Sequence, residues 1–96
     1  MYDKKLPAMY DKLTLDERRL VRREYEAQQD FKCWYCHGDL GFPPPERILK
    51  YEIHLKWFPK GFLDNPIHLQ HDHNTGLTEG AVHAYCNAVL WEYFGR

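Results

Sequence analysis

Two short spacings in this chain could hold a metal: Cys33-x-x-Cys36 and His83-x-x-Cys86. Two residues between ligands let one tight turn aim both side chains at a single ion. Two such turns close a tetrahedron of three thiolates and one imidazole. A closed tetrahedron leaves no position for substrate, so Cys33, Cys36, His83 and Cys86 are expected to bind a structural zinc ion. His37 adjoins the first turn and competes with His83 for the nitrogen position. An odd count of three cysteines excludes a complete disulfide framework. A redox dithiol is disfavoured by Trp34-Tyr35 inside the first spacing and by the lack of a parallel βαβ pattern.

A second concentration of chemistry lies at His68, His71 and His73, half of the six histidines within one short stretch. Imidazoles near neutral pH bind metals, exchange protons or contact phosphate. The elements that must position these residues are partly readable. Thr14-Leu15-Asp16-Glu17 has the form of a capping box and opens a helix over about 14–29, with Leu13, Leu20, Val21, Tyr25 and Gln28 on one face. Phe42-Pro43-Pro44-Pro45 predicts a stiff connector, and Ile48–Phe58 an extended or mixed segment. Ile67–Asp72 and Leu77–His83 read as two strands joined by an Asn74-Thr75-Gly76 turn, and Asn87–Phe94 as a closing helix. Residues 1–13 read as an arm without clear period.

The segment from His68 to Gly76, continued through Glu79-Gly80 to His83-Ala84-Tyr85-Cys86-Asn87, joins the two metal spacings into one pattern. In this combination the chain resembles the HNH (His-Me finger) nucleases, most closely the phage endonuclease VII-like branch, over Phe31–Gly38 and Ile67–Leu90. The resemblance implies a small α+β single domain. A ββα-metal core over 67–94 would be stapled by zinc and preceded by an N-terminal helix. It implies that His71 is a general base for water attack on a phosphodiester. Asn87 and Gln70 would hold a catalytic Mg²⁺, His73 would contact phosphate or hold its loop, and His68 would support the site. Gln70 departs from the family, which usually places Asp or His there; its carbonyl can ligate a hard cation but adds no charge. Both Gln70 and His71 reach one ion only if their strand ends or bulges. Glu79 is a second departure, since the branch often has a basic residue before the glycine.

The expected activity is Mg²⁺-dependent DNA endonuclease cleavage, by nicking or by cutting both strands. The alternatives are a catalytically silent zinc-stapled module that binds DNA or protein, and a structure-specific junction resolvase. Net charge is −1, with 13 Lys and Arg against 14 Asp and Glu, which excludes a uniformly basic nucleic-acid binder. Any anion-binding surface is therefore local, with Arg18, Arg19, Arg22, Arg23, Lys56 and Lys60 as phosphate candidates. Trp34, Trp57, Tyr85, Trp91, Tyr93 and Phe94 could stack on bases but are expected mainly as core or turn packing, with Trp91 and Phe94 at a helical spacing behind Asn87 that favours burial. No apolar run is long enough to span a bilayer and the charged start Met1–Lys5 has no signal-peptide core. The expectation is a cytoplasmic chain with no membrane partner, in a bacterial host if phage-encoded, as monomer or dimer.

Overall fold

The capping box forms as the residue types require. Thr14 Oγ1 accepts from the Glu17 amide at 3.1 Å, and Glu17 Oε1 accepts from the Thr14 amide at 2.9 Å. In the computed structural model, which describes residues 4–95, helix α1 then spans Leu15–Gln28. Met1, Tyr2, Asp3 and Arg96 lie outside the described residues. Val21 and Tyr25 are the buried residues of α1, while Gln28 is exposed. Beyond the helix, Asp30 and Phe31 adopt positive φ (54° and 56°), and the Phe31 amide donates back to the Glu26 carbonyl at 2.7 Å. This reversal delivers the chain directly into the Cys33–Cys36 turn.

Strands β1 (Ile67–His71) and β2 (Thr78–His83) pair antiparallel, with Ile67 opposite His83 and Gln70 opposite Gly80. The register then skips, and His71 pairs with Thr78, so Glu79 is the extra residue of a bulge. Asp72 builds the connecting turn. Its Oδ1 accepts from the Asn74 and Thr75 amides at 2.7 and 3.2 Å, and its carbonyl accepts from Gly76 at 2.7 Å. Gly76 supplies the positive φ (79°) that this turn needs.

A two-stranded sheet is marginal alone, and here its outer edge is covered. The Thr78 amide donates to the Ala8 carbonyl at 2.8 Å, and the Tyr10 amide donates to the Gly76 carbonyl at 2.9 Å. Further along, the Gln29 side-chain amide imitates a neighbouring strand. Its Oε1 accepts from the Ala81 amide and its Nε2 donates to the Ala81 carbonyl, both at 2.9 Å. Gly80 must be glycine for this packing, because a Cβ there would lie 2.6 Å from Gln29 Oε1 and 2.8 Å from Trp34 Cβ.

Helix α3 (Ala84–Phe94) starts three residues before the expected Asn87. His83 is its N-cap residue, so the His83-x-x-Cys86 spacing is the first helical turn itself, with both ligands on one face. The segment read as extended or mixed has no strand: the short helix α2 (Glu46–Leu49), with Ile48 buried, leads into it, and it carries a 3-10 turn at Leu55–Trp57. The core gathers Leu13, Val21, Tyr25, Leu40, Ile48, Val82 and Val89 around Cys33, Cys36 and Cys86. These three helices and the hairpin make one small α+β domain, and no helix among the described residues is long and apolar enough to cross a membrane.

Candidate functional site

Cys33, Cys36, His83 and Cys86 are all buried, and their ligand atoms lie within 4.8 Å of one another. The first turn is shaped by amide-to-sulfur hydrogen bonds, from Cys36 to Cys33 Sγ at 3.5 Å and from Gly38 to Cys36 Sγ at 3.4 Å. His83 Nε2 donates to the carbonyls of Asp39 and Phe42 at 2.9 and 2.8 Å. That places the imidazole proton on Nε2 and leaves Nδ1 to face Cys36 Sγ at 3.4 Å and Cys86 Sγ at 3.6 Å. His37 is exposed and outside this group, so the competition for the nitrogen position falls to His83. The contact with Cys86 holds the Cys33 thiol down at about 4 against the penalty of burial. The same contact, together with burial, pushes Cys86 far up, and burial raises Cys36. Three thiolates side by side in a buried space repel one another, and a cation among them would offset that repulsion. Three soft sulfurs and one imidazole in a closed, buried set suit structural zinc.

On the other side of β1 a cavity of about 690 Å³ opens. His68, Gln70 and His71 form its floor, Asn87 and Trp91 enter from α3, and Arg18, Arg19 and Arg22 from α1. The remaining wall, Trp57, Phe58, Pro59 and Phe62, comes from the segment least readable in isolation, where only Trp57 stood out in the sequence, as an aromatic able to stack on bases. Arg23 lies elsewhere, beside Glu26 and Asp30, and Lys56 and Lys60 are exposed outside the cavity lining. Trp91 and Phe94 are not buried as expected: they are 43% and 51% exposed, Trp91 at the cavity and Phe94 near the end of α3 against the rings of Tyr35 and Tyr51. Tyr85 is half-buried, and its hydroxyl donates to the Tyr51 carbonyl at 2.6 Å.

His71 stacks face to face on Tyr10, with ring centroids 3.9 Å apart and planes 13° apart. The Arg18 guanidinium lies 3.9 Å from the same tyrosine ring, and Arg18 Nε donates to the Tyr10 carbonyl at 3.3 Å. Tyr10 therefore ties the arm, the imidazole and the arginine wall together, a role that only the arm's hydrogen bonds to the hairpin create. Burial, then the neighbouring His73, pushes His71 below the ordinary imidazole value, which keeps it neutral and able to accept a proton. His73 is exposed, its ring 4.6 Å from that of His71.

Burial also lowers His68, and the neutral ring accepts at Nδ1 from Asn87 Nδ2 at 3.0 Å. This contact engages the Asn87 amide nitrogen and leaves Oδ1 as the side chain's acceptor. Gln70 is almost wholly buried, and its Nε2 donates to the His71 carbonyl at 3.0 Å and to Glu79 Oε1 at 3.4 Å. The two departures from the family pattern are thus in contact: the bulge that brings Gln70 and His71 to one cavity also turns Glu79 toward Gln70.

The fold and these contacts define a small α+β domain with a buried cluster of three cysteines and one histidine close enough to hold a metal, and a cavity lined by arginines and aromatic rings. Known family models, curated proteins and solved structures give no match to the chain.

Proposed function

We propose that the chain is a Mg²⁺-dependent DNA endonuclease of His-Me finger type, with β1, β2 and α3 as its ββα-metal core and zinc in the cysteine cluster. The observation that carries this reading is the make-up of one cavity. His71, Gln70, Asn87 and three arginines share it, and among the described residues no carboxylate lines it. Neutral His71 takes a proton from the attacking water. Arg18, Arg19 and Arg22 hold the substrate phosphates through charge-assisted hydrogen bonds. Asn87 and Gln70 present amide oxygens, hard donors that fit a divalent cation held jointly with an anionic substrate. Bound there, Mg²⁺ supplies stabilisation of negative charge at the phosphate and the leaving oxygen. His68 keeps the Asn87 amide in one orientation, and the zinc cluster fixes α3, and hence Asn87, relative to β1.

Nicking of supercoiled plasmid, with and without Mg²⁺, tests the reading. His71→Ala should abolish Mg²⁺-dependent nicking while zinc content and circular dichroism stay unchanged. A His71→Ala protein that nicks at the original rate overturns the assignment. The neutrality of both Asn87 and Gln70 favours a second reading, a DNA-binding module that does not cleave. It requires no nicking with any divalent ion and binding insensitive to the loss of His71.

A further inference from the structure

The cavity lining combines arginines from α1 with exposed aromatic rings. Among the described residues no Asp or Glu lines it, although the chain's 14 acids outnumber its 13 Lys and Arg. Within the arginine wall, Arg22 pairs with Glu26 at 3.1 Å and Arg19 with Asp16 at 3.7 Å. Arg18 makes no ion pair among the described residues. The site is built for an anion, and the aromatic wall says which kind.

Trp57 is 54% exposed and Trp91 43% exposed, both at the cavity, in a small domain where burying an indole would be strongly stabilising. His54 stacks against Trp57 with centroids 4.8 Å apart, and Phe58 meets Trp91 edge-on at 5.3 Å, so both indoles are held in place without being covered. Fixed aromatic faces beside a cationic wall are the parts of a single-strand binding surface, since each base offers a flat face and each linkage a negative charge. In a duplex those base faces are stacked on one another and closed to protein rings. The volume, about 690 Å³, is on the scale of a site for a nucleotide or two.

We propose that this cavity takes an unpaired, single-stranded stretch of DNA, with its phosphates on Arg18, Arg19 and Arg22 and its bases stacked on Trp57 and Trp91. The proposal rests on the reading of the site as one that acts on DNA, and it names the strandedness of the substrate.

Binding tests it separately from cleavage. The zinc-loaded full chain, with no Mg²⁺ added, is titrated by fluorescence anisotropy into a labelled oligonucleotide of about 12 nucleotides. Its duplex and the RNA of the same sequence are measured in parallel. The single DNA strand should bind about tenfold more tightly than the duplex. Trp57→Ala and Trp91→Ala should each weaken single-strand binding about tenfold and leave duplex binding unchanged. Trp57→Phe should restore most of the loss, and unchanged zinc content in each variant rules out misfolding as the cause. Equal or tighter binding of the duplex, tighter binding of the RNA, or single-strand affinity unmoved in Trp57→Ala overturns the proposal. Tryptophan-dependent single-strand binding without plasmid nicking would leave the proposal standing and remove the nuclease reading. Nicking with single-strand affinity unchanged in Trp57→Ala would do the reverse.

Discussion

Withdrawing the metal from the cysteine cluster should unfold this domain. A chain of 96 residues has a net stability of about 5–14 kcal/mol at ordinary values per residue. A structural zinc ion contributes an apparent 10–16 kcal/mol or so in small domains, as large as the whole margin. The structure explains why little would remain. The four ligands come from the turn after α1, the end of β2 and the first turn of α3, so the ion links the three parts that enclose the core. Three ligands, Cys33, Cys36 and Cys86, also belong to the hydrophobic cluster, where metal-free thiols must share protons in a buried space. Even a loss of about 5 kcal/mol would lower the melting temperature of a domain this size by roughly 20 °C or more. The assay is thermal melting by far-ultraviolet circular dichroism, before and after a strong zinc chelator, with metal content measured by mass spectrometry. The expected result is one equivalent of zinc per chain and no cooperative melt after chelation. A metal-free protein that melts cooperatively within about 5 °C of the loaded one would refute the reasoning.

Three further outcomes follow from particular contacts. Gly80→Ala would place a methyl group 2.6 Å from Gln29 Oε1 and should destabilise the domain by about 1–3 kcal/mol, read from denaturant midpoints; an unchanged midpoint would mean that the Gln29 contact to β2 is not needed. Gln70→Asp removes the buried donor to His71 and sets a carboxylate beside Glu79, so it should cost about 1–3 kcal/mol when no divalent ion is added. Pairing it with Glu79→Gln should recover part of that loss; an equally large loss in the double variant would rule out repulsion. For pH, burial holds both His68 and His71 below the ordinary imidazole value of 6.5. The unfolded chain therefore binds protons first as pH falls, so their contribution to stability is full above about 6.5 and declines below it. NMR titration of the imidazole carbons checks this, and His73→Asn should raise the His71 midpoint; a fall on that substitution would contradict the repulsion.

Local chemistry made much of the scaffold legible. The capping box needs only Thr14 and Glu17 at the right spacing, and the turn needs only Asp72 and Gly76, because each is closed within a few residues. The cysteine and histidine spacings were readable for the same reason, being turn geometry written into sequence. Helix α3 was placed too late, since a metal spacing and a helical turn share the same three-residue step and the pattern alone does not separate them. Tyr10, Gln29 and the wall from Trp57 to Phe62 were not legible. Their roles depend on partners far along the chain: Tyr10 on His71, Gln29 on Ala81, and the wall on α1 and α3.

The sequence by itself determined which residues could bind metal, where α1 begins, and that a hairpin leads into the last helix, because these are matters of residue type and short spacing. Only the tertiary structure decided that His83 rather than His37 joins the cysteines and that Glu79 bulges toward Gln70. It alone placed three of the four α1 arginines in one cavity with Trp57 and Trp91, lined by no acid among the described residues. Burial and long-range pairing make those choices, since exposure and charge environment belong to a residue's neighbours in space, and a chain near electrical neutrality can still gather its cations on one wall.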